Sequence, residues 1–266
     1  MLKTKKPLLS VIVPAYKQEK TIQKDLRRIA KVLDNIRYDY ELICVVDGLV
    51  DKTLSKAKKI NLKKLKVVGY KNNHGKGYAI RYGIVRSKGN LIAFIDAGMD
   101  LDPNGLSMLL EHFEWYDADI IVGSKRHPVS KVDYPWQRKV LSFGYQMLIK
   151  VLFGLTIRDS QAGMKFFKRK VLVDVLPRLM VKKYAFDIEM LAVAYRLGYR
   201  RIFEAPINLK WMEGNSVISK SLWKSIYNMM VDTIAVFYRL KFLKYYDKQN
   251  RRNWKYSKEL KFRVNV

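Results

Sequence analysis

Apolar and polar positions along the first half of this chain alternate between two rhythms. Residues 8–13 form a nearly continuous run of branched apolar side chains closed by Pro14, the pattern of a strand buried on both faces in a parallel sheet. Thr21 follows as a helix N-cap, and Ile22, Leu26, Ile29, Ala30 and Leu33 then recur at helical spacing. Residues 40–46 give a second apolar run that stops at Asp47-Gly48, 53–60 predict a short helix, and 66–70 a third strand. The loop Asn73-His74-Gly75-Lys76-Gly77 opens a helix to about Val85, and 91–95 predict a fourth strand that ends at Asp96. Pro103 opens a helix through His112, as suits proline in a first turn, and 119–122 predict another strand. Strands alternating with helices at this spacing predict an α/β fold with a mostly parallel sheet and helices on both faces.

Beyond Gly123 the rhythm changes. Helical segments are expected over 138–152, 169–177 and 186–197, with a strand near 201–209. Residues 221–246 predict an unbroken amphipathic helix in which Trp223, Ile226, Met230, Ile234, Phe237 and Tyr238 share one apolar stripe. The polar, basic tail 247–266 is expected to be loosely ordered. The predicted organisation is one large domain over 1–216, a C-terminal amphipathic helix over 217–246, and a basic tail.

Composition narrows the function classes. With 266 residues and 49% hydrophobic content the chain can bury a large core, so disorder is excluded for most of it. Its 52 Lys and Arg against 24 Asp and Glu give a formal net charge of +28, which calls for a polyanionic partner: a phosphorylated substrate, an anionic lipid surface or nucleic acid. Clusters at 56–66 and 241–261 are not organised by any nucleic-acid-binding motif, so nucleic acid is not the expected partner. The single cysteine, Cys44, lies in an apolar run and reads as a buried strand thiol in a reducing compartment. No signal peptide is read at the N-terminus, and the longest later apolar stretch, 140–157, is interrupted by Gln146, Lys150 and glycines. A spanning helix needs about 20 apolar residues, so none is expected.

The candidate chemistry sits on the strand ends, because open α/β sheets bind ligands beyond the carboxyl ends of their strands. The first strand delivers Pro14-Ala15-Tyr16, the second Asp47-Gly48, and the fourth Asp96-Ala97-Gly98-Met99-Asp100. A lone Asp after a strand is usually a turn or cap residue, but three coincident tips favour a nucleoside diphosphate site. Tyr16 and Asp47 would lie near base and ribose, and Asp96 and Asp100 would hold Mg²⁺ or Mn²⁺ on the diphosphate. Lys76 and the amides of its glycine loop would add positive charge beside phosphate. His74, His112 and His127 lack metal-ligand spacing and read as structural or surface residues.

The segments SVIVPAY, VVDGLVDKT, HGKGYAIRYGI, FIDAGMD, VGSKR, PWQRKVLSFG, RDSQAGMKFFKR and AFDIEML, in that order over roughly 8–216, resemble the family 2, A-type-fold (GT-A) glycosyltransferases. The resemblance is to the branch of dolichyl-phosphate mannose synthases and polyprenyl-phosphate sugar transferases. It implies that Pro14, Tyr16, Gln18, Asp47, Lys76 and Asp96 bind the donor, GDP-mannose or UDP-glucose, with metal on Asp96 and Asp100. It also implies that Lys125, Arg126, Arg138 and Ser142 grip the acceptor phosphate, and that Asp96, Asp100 and Arg138 act catalytically. The stretch 138–155 would be an interfacial helix, and the loop carrying Asp159, Gly163 and Lys165 would face the site. The chain departs from the family pattern at Gly98, where the middle carboxylate of a D-A-D motif is missing and Asp100 must compensate. It departs also at Val46, at Lys17-Gln18 and at Trp211, which stands where an arginine is often found.

The expectation is therefore an inverting hexosyltransferase acting on a polyprenyl phosphate, peripheral on the cytoplasmic face of a membrane, with a homodimer or a membrane partner subunit open. A phosphate acceptor, with a second pKa of about 6, is already ionised and needs no strong base. Three alternatives stand beside it. One is a transferase acting on a saccharide or protein hydroxyl, for which Asp187 or Glu189 would serve as base. The others are a catalytically degenerate homologue and a non-enzymatic binder of nucleic acid or membrane.

Overall fold

The structure, a computed structural model, describes residues 7–98, 101–130, 136–181, 185–208, 222–247 and 254–264, with the side chains of 136–141, 222–225 and 262 outside that description. In chain order the first half runs β1 (Leu8–Ala15), α1 (Ile22–Leu33), β2 (Asp39–Asp47), α2 (Thr53–Lys58), β3 (Leu65–Tyr70), α3 (Lys76–Val85), β4 (Leu91–Ile95), α4 (Gly105–Trp115) and β5 (Ile120–Ser124). The second half adds α5 (Trp136–Phe153), β6 (Met164–Lys168), α6 (Arg169–Val175) leading into a 3-10 turn, α7 (Phe186–Arg196), β7 (Ile202–Pro206), α8 (Leu222–Lys241), β8 (Lys255–Ser257) and β9 (Phe262–Val264).

Seven strands form one sheet in the order β3-β2-β1-β4-β6-β5-β7. β1 pairs in parallel with β2 and β4, and β2 with β3, so the strand order reverses between β1 and β4, the kind of switch point at whose carboxyl ends open α/β sheets bind ligands. The central strands β1, β2 and β4 are almost wholly buried. That explains why their sequences read as continuous apolar runs rather than alternating ones. The single cysteine, Cys44, lies in this core, where burial, with Asp25 nearby, pushes its thiol up to about 12.

The structure corrects the sequence reading at several points. Pro14 does not end β1 but lies inside it, opposite Val45. The ladder to β4 stops at Ile12, so the proline falls where the strand has one neighbour and a missing N–H is tolerated. Pro103 does not open α4, which starts at Gly105 behind Asn104. β6 was not anticipated: it inserts antiparallel between β4 and β5. Nor is the tail uniformly loose, since β8 and β9 pair as a hairpin whose Leu260 is buried.

The expected stripe on the last helix divides. Thr233, Val236 and Leu240 of α8 face inward, and the helix packs on α5 through Tyr145 Oη and Thr233 Oγ1 at 2.9 Å and through the rings of Phe153 and Phe237. Tyr227, Val231, Ile234 and Tyr238 face outward, as do Phe143, Met147 and Val151 on α5. No helix among the described residues is long and apolar enough to cross a membrane.

Candidate active site

The tips of β1, β2 and β4 are tied together by side chains. Asp47, ending β2, is only 3% exposed, and its carboxylate accepts from the amides of His74 (2.8 Å) and Gly75 (2.9 Å) and from Asn73 Nδ2 (2.9 Å). Its function in the fold is thus to hold the glycine loop that opens α3. That loop delivers Lys76, whose Nζ lies 2.8 Å from Oδ2 of Asp96 at the end of β4. On the β1 side Tyr16 is exposed, and the Gln18 amide donates to Thr53 Oγ1 at 2.9 Å, joining the β1 and β2 loops. Gln18 also lies beside Gly98, and Gly98 N donates to the buried carboxylate of Asp25 on α1 at 3.0 Å. Gln18, Asp47, Lys76 and Asp96 are therefore linked through their loops, while Pro14 lies within β1 and Tyr16 is exposed just beyond its end.

Asp96 is held from behind. Its amide donates to the carbonyl of Gly163, just before β6, at 3.0 Å, and a Cβ at Gly163 would meet Asp96 Oδ2 at 2.2 Å. Only glycine permits that approach. Asp96 Oδ1 is buried with no hydrogen-bond donor. An unpartnered carboxylate oxygen costs free energy unless something positive reaches it, and a divalent cation is a group that fits it. Among the described residues no cluster of three or more His, Cys, Asp or Glu forms a metal cage. Mg²⁺ and Mn²⁺ do not need one, since one or two carboxylates with waters and phosphate oxygens suffice. Asp100, the second expected ligand, lies outside the described residues, as do Trp211 and the side chains of Arg138 and Trp223. Gly98 has a φ of +123°, a conformation that residues with a Cβ rarely adopt, so the missing middle carboxylate coincides with a backbone that selects glycine.

Sequence reasoning placed Lys165 on a loop facing the site and Asp187 as a possible base, and missed that Lys165 lies buried in β6 and pairs with Asp187. Lys165, fully buried in β6, donates to Asp187 Oδ1 (2.6 Å) and to the carbonyl of Ala162 (2.5 Å). Asp187, at the start of α7 and 4% exposed, also receives Lys76 at 3.6 Å. Burial opposes ionisation of Asp187, yet Lys165 and Lys76 together hold its carboxyl below the usual range. Burial likewise opposes the charge on Lys76, but Asp187 and Asp96 outweigh it and raise its pKa. For Lys165 burial prevails and lowers the value. Glu189, the other residue considered as a base, is fully buried, accepting from the Met180 and Val181 amides and from Tyr246 Oη. Neither carboxylate is free to take a proton from an incoming hydroxyl.

The acceptor candidates separate. Lys125 is bound to Asp159 through its amide (3.0 Å) and its ammonium (3.7 Å). Arg126 lies over the Phe143 ring at 5.4 Å and keeps a buried Nη1 without a partner. Ser142, one residue before Phe143 on α5, is half-buried beside it.

Comparison with known proteins gives this geometry a context. Residues 10–176 match the family described as Glycosyl transferase family 2. Similar curated proteins include the dolichyl-phosphate beta-glucosyltransferase of Drosophila melanogaster, 31% identical over 77% of this chain and 67% of that protein. The one from Mus musculus is 30% identical over 88% of this chain and 76% of that protein. Among solved structures, the glucosyl-3-phosphoglycerate synthase of Mycobacterium tuberculosis with Mn²⁺, UDP-glucose and phosphoglyceric acid has the same fold. It gives a TM-score of 0.67 at 17% identity, over 87% of this chain and 80% of that one. These relatives are named glucosyltransferases, where the sequence motifs had pointed first to mannose synthases, and GDP-mannose finds no support among them.

Proposed function

The chain belongs to glycosyl transferase family 2, and from that premise we propose that it transfers glucose from UDP-glucose to the phosphate of a dolichyl-type polyprenyl lipid. It is a glycosyltransferase of GT-A fold; the sugar, the nucleotide and the acceptor are the proposed part. The observation that carries the acceptor class is the state of Asp187 and Glu189. Both carboxylates considered as bases are buried and engaged, which favours an acceptor that arrives already ionised, as a phosphate does. The names of the curated relatives support glucose and dolichyl phosphate.

In this reading Asp96 and the rim around it seat the donor. When a divalent cation is bound there it neutralises the departing diphosphate. Asp96 is the described residue that would hold it, with Asp100 as the second proposed ligand. Arg126, with Ser142 near the Phe143 ring it covers, and with Arg138 and Lys125 as further candidates, would align the acceptor phosphate for in-line attack at the anomeric carbon, inverting that centre. The outward apolar rows of α5 and α8 and the net charge of +28 support peripheral binding to an anionic membrane surface.

Transfer of radiolabel from UDP-glucose into organic-extractable polyprenyl phosphate glucose, with Mn²⁺ present, tests the proposal directly. GDP-mannose as donor and a saccharide as acceptor run in parallel. Label appearing only in the saccharide would overturn the acceptor assignment, and label only from GDP-mannose would overturn the donor.

A further inference from the structure

Lys76 occupies an unusual seat. Its ammonium lies 2.8 Å from Asp96 Oδ2, on the carboxylate proposed to hold the divalent cation, and 3.6 Å from Asp187 Oδ2. Asp187 has a second, closer cation in Lys165 at 2.6 Å, whereas Asp96 has Lys76 alone among the described residues. Two carboxylates and two ammoniums thus balance in the nucleotide-free protein. Oδ2 of Asp96, the oxygen nearest the lysine, is also the one packed against Gly163.

A divalent cation reaching Asp96 by itself meets this ammonium across a single carboxylate, and like charges a few ångströms apart in a partly buried site repel strongly. A divalent cation arriving with the diphosphate of a nucleotide sugar adds no net charge, and arriving with free UDP it brings net negative charge. The phosphate oxygens then offer the ammonium a new partner, and Asp187 remains neutralised by Lys165 whether or not Lys76 stays near it.

We propose that Lys76 is a resident counter-ion of the donor site: it occupies Asp96 in the nucleotide-free protein and makes divalent-cation binding conditional on the diphosphate. The inference rests on the reading of Asp96 as the metal-binding carboxylate. It assigns Lys76 a role in the order of binding, separate from bond-making.

The test is Mn²⁺ affinity, read by electron paramagnetic resonance of free Mn²⁺, without and with saturating UDP. Nucleotide-free wild type is expected to bind Mn²⁺ only in the millimolar range, and a micromolar site there overturns the proposal without any variant. Lys76→Gln and Lys76→Met are expected to bind Mn²⁺ alone at least tenfold more tightly than wild type, with a correspondingly smaller gain on adding UDP. Lys76→Arg is expected to retain wild-type behaviour. Equal or weaker Mn²⁺ binding by folded Lys76→Gln and Lys76→Met also overturns it. Asp96→Asn separates the two layers. If it binds Mn²⁺ with UDP as well as wild type does, the metal assignment itself fails. If it loses Mn²⁺ while the Lys76 variants show no gain, only the counter-ion role fails.

Discussion

A methyl group at position 163 would sit 2.2 Å from Asp96 Oδ2, so Gly163→Ala must push either the carboxylate or the backbone before β6. We expect transfer to fall by about 10²-fold, because a shift of roughly 1 Å at a positioning group has effects of that size. Thermal denaturation should show a loss of about 1–3 kcal/mol. Wild-type rates for Gly163→Ala would refute the close packing of these two residues. Asp187→Asn should be more severe for stability. It leaves the fully buried Lys165 with a carbonyl as its remaining anchor, and breaking a buried pair in this way costs about 3–5 kcal/mol, measurable by urea denaturation. The pH dependence has a definite sign. The folded pKa of Asp187 lies below its ordinary 3.8, so its contribution is complete above that value and is lost as pH falls through the folded pKa. Asp187→Asn should flatten this acid limb. The strand-ending aspartates could be read from sequence because each closes a local apolar run. The Lys165–Asp187 pair could not, since its members lie in separate motifs and meet only when β6 and α7 pack.

At the scale of elements, β1 to β5, β7 and α1 to α7 follow the apolar rhythm to within a few residues. β6 escaped because its five residues run straight into α6, and the combined apolar stretch reads equally well as loop and helix. Its antiparallel direction is set by partners far away in the chain, which periodicity does not report. The terminal hairpin escaped for another reason: composition marks it as polar, yet it is anchored by a few contacts. Leu260 is 4% exposed, Glu259 pairs with Tyr78 Oη on α3, and the Arg178 guanidinium lies 5.0 Å from the Trp254 ring. Leu260→Ala should therefore cost about 2–3 kcal/mol in chemical denaturation, in the range of buried leucine truncations. A change within about 0.5 kcal/mol, as at surface sites, would return this segment to the loose tail that its composition suggests.

For the whole molecule, charge and exposed apolar area act together. The chain carries a formal +28 while α5 and α8 each keep an outward apolar row. Partition onto anionic vesicles should be salt-sensitive, since each basic residue near such a surface contributes about 1 kcal/mol before screening. Val151→Ser with Ile234→Ser, at positions 78% and 55% exposed on the outward rows of α5 and α8, should lower co-sedimentation at least tenfold without altering the melting temperature. Unchanged partition would direct attention to a protein partner for that face. The amphipathic character of the last helix was legible in sequence. Which of its apolar residues turn inward was not, because that depends on where α5 lies.

The insertion of β6 has a further consequence for how the chain must be made. β5 touches the rest of the sheet only through β6 and β7, and one edge of β4 stays open until β6 arrives. A chain emerging from the ribosome therefore carries unpaired edges on β4 from about residue 91 until β6 is clear of the exit tunnel, and on β5 until β7 has followed. Such edges invite pairing between neighbouring chains, and distant pairings of this kind form slowly. Expression fragments that stop before Met164 should collect as aggregates, whereas those that include β6 and β7 can close the sheet.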